Sequence, residues 1–303
     1  MKEIYGLRYR LILTFLALVI GIIIAGFWNY KVVDGFGHHI ADRTIGNTNN
    51  LASTFSENGT GFGFIFACVA GLAATFTACN CVVFAMIPGL TYSNHHFSRK
   101  MAIRALIVFI TGVLAICAFY GFIIGLLTPG KVDMLNQSNI RINQAEITFS
   151  LIGTAMLIWG VISFGFLNRL LVLIPLKIRY FLANPFTKSA IMGIFVGLFS
   201  IGRPFPVFRD FLTYAAASKN PFYGAAVMSM QGLGQIAVMV LLFLIIIFIF
   251  GKKLIQWTER KPHQLELISS IALTTGGTYF IYYWGISRIL DIGGWGFKFG
   301  WYQ

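Results

Sequence analysis

The sequence predicts an all-α polytopic membrane protein with seven transmembrane helices: an N-terminal anchor helix followed by two inverted three-helix repeats that contain interrupted helices. Three observations carry this. Apolar residues make up 57% of the chain and charged residues only 11%, far from the roughly 25% charge of a soluble domain. Seven segments, approximately 11 to 28, 62 to 90, 102 to 127, 148 to 168, 189 to 214, 223 to 250 and 266 to 286, are long enough to cross about 30 Å of hydrocarbon at about 1.5 Å per residue. Two of them are interrupted in corresponding places. The first meets Cys79-Asn80-Cys81 and Pro88-Gly89 before Leu90-Thr91-Tyr92, and the second meets Gly202-Arg203-Pro204-Phe205-Pro206 before Leu212-Thr213-Tyr214. Proline and glycine at membrane depth break the helical ladder, and paired breaks in two halves point to a central site.

Taken in order, the first segment has a basic start (Lys2, Arg8, Arg10) and a long apolar run, which fits a signal peptide or an anchor. An anchor is expected, because no small-residue cleavage site follows and Trp28 and Tyr30 form an interfacial belt. Residues 29 to 60 read as a polar, solvated outer loop. Its His38, His39, Asp34 and Asp42 match no metal-ligand spacing, so no metal is expected. The six remaining spans divide three and three, and an odd number per half makes the halves antiparallel. The domain reading is therefore 1–60 for anchor and outer loop, 61–290 for the core, and 291–303 for an outer tail.

A net charge of +13 would suit nucleic acid, but the basic residues alternate with the spans. Arg99, Lys100 and Arg104 follow the second span, Lys177 and Arg179 the fourth, and Lys252, Lys253 and Arg260 the sixth. This is the positive-inside pattern, with the N-terminus cytoplasmic, the C-terminus outside, and membrane lipid rather than nucleic acid as the partner. The aromatic, Gly-rich tail from Gly293 to Tyr302 is expected to lie on the outer membrane surface or on a partner subunit.

Within the core, the substrate-binding or cavity candidates are Arg203, Pro88, Pro204, Pro206, Gln231 and Gln235. An ionisable residue inside a span is a functional hypothesis by default because isolated burial is expensive, so Arg203 invites an anionic group or a carboxylate. Gln231 and Gln235, one turn apart, either line the same cavity or make interhelical hydrogen bonds. Arg209 and Asp210 lie nearer the outer surface and are expected to pair. No phosphate-binding glycine loop, Ser-His-Asp order or haem-attachment motif is present, and no cofactor is expected.

The cysteine ahead of Ile87-Pro88-Gly89 and the Gly-x-Pro-x-x-Pro-like turn at Gly202 to Pro206 resemble the CcdA and DsbD transmembrane-domain family over roughly residues 61 to 290. That resemblance implies thiol–disulfide or electron transfer across a bacterial inner (plasma) membrane, linked to cytochrome c biogenesis, with a thioredoxin-like partner. Cys81 carries over as a catalytic residue, with Cys79 as its neighbour. Two departures stand out: Pro88 is one residue further from Cys81 than the family pattern has it, and Phe205 occupies the place of the family's second cysteine. A relay needs an attacking and a resolving sulfur, so the second role falls to Cys79, Cys68 or Cys117, or to an external thiol. Cys79 and Cys81 face apart in a regular helix, and all four cysteines also suit plain apolar packing. A small-solute transporter on the same fold, and a structural or assembly subunit of a larger membrane complex, are the alternative readings.

Overall fold

A computed structural model of the protein describes residues 6–75, 99–166, 184–260 and 262–302, with backbone alone at 34, 185, 250–260, 262, 263, 265 and 266. Cys79, Cys81, Pro88 and Gly89 lie outside the described residues. Among the described residues all regular structure is helical. The first half comprises α1 (Leu7–Gly26), α2 (Tyr30–Ile45), α3 (Thr48–Leu51), α4 (Phe55–Thr75), α5 (Arg99–Leu126), α6 (Pro129–Leu135) and α7 (Ser138–Ser163). Then come α8 (Pro185–Ile201), α9 (Pro206–Ala217), α10 (Pro221–Arg260), α11 (Pro262–Phe280), a π-helical turn (Ile281–Ser287) continuing α11, and α12 (Trp295–Lys298). Among the described residues five helices are long and apolar enough to cross a membrane, or six if the bent pair α8 and α9 is one span. With hydrocarbon rather than water on their outer faces, such helices satisfy their backbone groups internally.

Small residues set the helix contacts. Ala17, Gly21 and Ala25 form one stripe on α1, and this stripe meets α11, where Thr275 donates to the Ala17 carbonyl at 3.3 Å. At the centre α5 packs on α10, with α4 against α10 and α8 against α5 on either side. The two flanking contacts are alike in detail. Gly71 of α4 lies against the α10 backbone at Gln231 and Gly234, and Gly193 of α8 lies against the α5 backbone at Phe109 and Gly112. From Gly71 to Gly193 and from Gly112 to Gly234 is the same step along the chain, and it is also the step from Leu90-Thr91-Tyr92 to Leu212-Thr213-Tyr214. The third pair, α7 on α11, closes through Gly153 against Gly277.

The second predicted interruption is present. α8 ends at Ile201, α9 begins at Pro206, and the two axes meet at 87°. Pro206 occupies the first helical position, where its missing N–H costs nothing, and it holds the preceding Phe205 extended (φ −69°, ψ 128°). Instead of running on toward the surface, α9 turns across the molecule and buries Val207, Phe208, Phe211 and Tyr214 against α4 and its neighbours.

One expectation is corrected. Residues 29 to 60 are not a solvated loop: α2 is a helix with Asn29 capping Val32 N–H, and it lays Gly37 and Ala41 onto α4 and α9. Small residues at that spacing make an apolar face that the surrounding polar residues hide from a composition-based reading. The C-terminal tail folds back onto the end of α1. Trp295 covers Gly26, Trp301 stacks on Phe27 with centroids 5.2 Å apart, and Tyr302 donates to the Phe27 carbonyl at 2.8 Å.

Candidate functional site

Three arginines are buried and each donates to a main-chain carbonyl, which for Arg10 and Arg141 lies at the C-terminal end of a helix. Arg10 Nη1 donates to Phe164 O at 2.9 Å, Arg141 Nη1 to Ile201 O at 3.3 Å, and Arg203 Nη1 to Ala74 O at 2.8 Å. Carbonyls at a helix C-terminus carry the negative end of the helix dipole and lack intrahelical donors, so a guanidinium there is compensated without a counter-ion.

Two of these arginines build the break between α8 and α9. Arg141, fully buried on α7, makes no ion pair among the described residues. It grips the Asn136 side-chain oxygen with Nε at 3.1 Å and Nη2 at 2.9 Å, lies over the Phe208 ring and holds the last turn of α8. Arg203, buried in the break itself, reaches Ala74 of α4 and packs over Phe205, its guanidinium 5.3 Å from the ring centre. The second-half interruption is thereby fixed against the helix that leads toward Cys79-Asn80-Cys81.

A buried polar chain runs alongside. Ser200 Oγ donates to Gln231 Oε1 at 2.9 Å, Gln231 Nε2 donates to Gln235 Oε1 at 3.5 Å, and Thr75 Oγ1 donates to the Gln235 carbonyl at 3.0 Å. Both glutamines are therefore engaged in bonds within and between helices, joining α8, α10 and α4. Cys117, fully buried on α5, lies beside Ser200 and Gly232. Its thiol and that of Cys68 are free.

On the other side of Arg203 a cavity of about 540 Å³ opens. Arg203, Pro204 and Phe205 line it from the break, Arg209 from α9, and Tyr283, Trp284 and Ser287 from the π-helical turn. Arg288 also faces it, held by Glu146 at 3.2 Å. Pro206 instead starts α9, and Gln231 and Gln235 sit in the polar chain. Arg209 and Asp210 make no direct ion pair, although the Arg209 charge acts on the Asp210 carboxyl; Arg209 donates weakly to the Asn136 carbonyl at 3.4 Å, while Asp210 lies beside the side chains of Thr48 and Asn49.

Arg141 and the π-helical turn escaped the sequence reading. Arg141 sits in a polar stretch that reads as solvated, and only the return of α9 over it buries it. Nothing in the run Ile281–Ser287 distinguishes a π turn from an α turn, although its Tyr282-Tyr283-Trp284 cluster was a signal of aromatic lining. Comparison of the chain with models of protein families, with curated proteins and with solved structures finds no match.

Proposed function

We propose that the protein is a CcdA/DsbD-like integral membrane protein that passes reducing equivalents across a bacterial inner membrane by thiol–disulfide exchange, at the junction of α4 with the break between α8 and α9. The observation that carries this reading is the Arg203 contact with Ala74. Four residues of chain reach at most roughly 14 Å, so Cys79 is tethered by connectivity to the neighbourhood of Thr75 and of this contact. The repeat architecture of the proposal, seven spans with two inverted halves, draws support from the matched Gly71–Gly234 and Gly112–Gly193 contacts.

With Phe205 in place of a second-half sulfur, the pair is Cys79 and Cys81. The Cys81 thiolate attacks a disulfide of a thioredoxin-like partner, which expels one partner thiolate and leaves a mixed disulfide. The Cys79 thiolate then attacks the Cys81 sulfur, expels the second partner thiolate and closes Cys79–Cys81. Two electrons have passed to the partner, both expelled thiolates take up protons, and a dithiol donor on the cytoplasmic side reverses the sequence. The step requires non-helical backbone between the two thiols, because residues two apart face away from each other in a helix.

Maleimide mass-tagging in intact membranes tests this. Cys79 and Cys81 are expected to gain label only after reductant, and Cys79→Ser is expected to trap a reductant-sensitive adduct on Cys81. Equal labelling with and without reductant, with no adduct, removes the thiol mechanism. The cavity at Arg203 favours a second reading, small-solute transport on the same fold. In a cysteine-free chain, loss of solute uptake on Arg203→Ala would select it.

A further inference from the structure

We propose that the cavity beside the break binds a small organic anion: a carboxylate, sulfonate or phosphate group carried on an aromatic or apolar body. This goes beyond the thiol reading and does not depend on it.

The charge lining the cavity is one-sided. Arg203, Arg209 and Arg288 face it, and the one lining carboxylate, Asp291, has a side chain 97% exposed and paired with Lys298 at 3.6 Å. Arg288 is offset by Glu146, and Arg209, whose neighbour Asp210 is not among the cavity's lining residues, is the cation on the wall that an anion can reach. The buried Nε–H of Arg209 has no hydrogen-bond partner among the described residues. A buried guanidinium nitrogen left unsatisfied is costly, and it calls for an acceptor that the described residues do not supply. Two helix N-termini add to the same field. Ser138 opens α7 and Phe205 precedes α9, both line the cavity, and neither helix has a side-chain cap.

The body of the ligand is read from the walls. Phe149 and Trp284 lie with centroids 4.9 Å apart, and Tyr279 and Tyr283 stack at 5.6 Å, so flat apolar surface surrounds the guanidinium groups. The π-helical turn contributes by inserting an extra residue into α11, which brings Tyr283, Trp284 and Ser287 together onto the cavity. Single π turns within helices are often found where a ligand is held. At about 540 Å³ the space lies within the range of small-molecule sites, roughly 300–1,000 Å³. An anionic lipid headgroup presents the same phosphate chemistry as a free organic phosphate, so the experiment separates the two sources.

The test uses the full chain in nanodiscs of zwitterionic phosphatidylcholine, titrated with 4-nitrobenzoate and with the neutral 4-nitrobenzyl alcohol. Quenching of tryptophan emission is read, since Trp28 and Trp284 line the cavity. Saturable quenching by the benzoate but not by the alcohol is expected, weakened at least tenfold in Arg209→Gln and unchanged in Lys298→Gln. Arg209→Lys, which keeps the charge, is expected to fall between them and guards against a folding defect. A cysteine-free chain should bind as the wild type does, so the thiol reading can fail without affecting this result. Loss of the benzoate signal on adding phosphatidylglycerol to the discs, restored in lipid-free detergent, assigns the anion site to a lipid headgroup. Equal quenching by benzoate and alcohol, or full affinity in Arg209→Gln, overturns the proposal.

Discussion

A buried arginine without a carboxylate is tolerated here because helix C-termini and side-chain carbonyls take the place of counter-ions. Arg141 makes the largest set of such bonds. Replacing it with Met strands the Asn136 side-chain oxygen and the Ile201 carbonyl, and each hydrogen bond to a charged group contributes about 1.5–3 kcal/mol. Arg141→Met should therefore lower stability by about 3 kcal/mol, read as a fall in the thermal unfolding midpoint of purified protein in detergent. Arg141→Lys should recover less than half of that, because one ammonium cannot keep the two-pronged contact with Asn136 and still reach Ile201. An unfolding midpoint within a degree of wild type for Arg141→Met would remove Arg141 as the fastening of α8. The sequence made Arg203 legible because it stands inside an apolar span. Arg141 was not legible because its burial is a tertiary event.

At the scale of elements, proline chemistry made the position of the break readable, since Pro204 and Pro206 cannot continue a helix. The 87° turn was not readable: proline fixes where a helix stops, whereas the direction of α9 comes from packing Phe208, Phe211 and Tyr214 under α4. The polar dress of α2, with half-buried His38 and Asp42 paired at 2.9 Å, likewise concealed a helix whose inner face is glycine and alanine. The glycine contacts yield a paired prediction. A Cβ at Gly71 would collide with the Gln231 carbonyl, and one at Gly193 with the Phe109 carbonyl, both on helix backbone that cannot yield without moving the whole helix. Gly71→Ala and Gly193→Ala should each destabilise by about 1–3 kcal/mol. Gly130→Ala in α6, where nothing lies within 4 Å, should be neutral or slightly stabilising by helix propensity. Unfolding midpoints of the three variants check this, and unequal costs at Gly71 and Gly193 would count against two equivalent halves.

For the whole molecule, the basic excess and the packing of α1 bear on one question, the orientation of the chain. A helix of 20 residues is about 30 Å long, enough to span the hydrocarbon. Near its first turn Arg10 is tied to Phe164 at the end of α7, and just past its last turn Phe27 accepts from Tyr302 in the tail. If α1 crosses the bilayer, the two termini must then lie on opposite faces, because the tail is bonded to the far end of the helix that the N-terminus begins. We propose from the alternation of Arg99, Lys100 and Arg104 with Lys252, Lys253 and Arg260 that the N-terminal face is the cytoplasmic one. Reporter fusions should place the N-terminus, Arg99 and Lys252 inside and Gln303 outside. Tyr302→Phe, which removes the bond to Phe27 and keeps the ring on Phe297, should leave that map unchanged while lowering the unfolding midpoint slightly. A map with both termini on one face would mean that α1 lies along the membrane rather than across it. The anchor, and with it the antiparallel relation of the two halves, would then have to be abandoned.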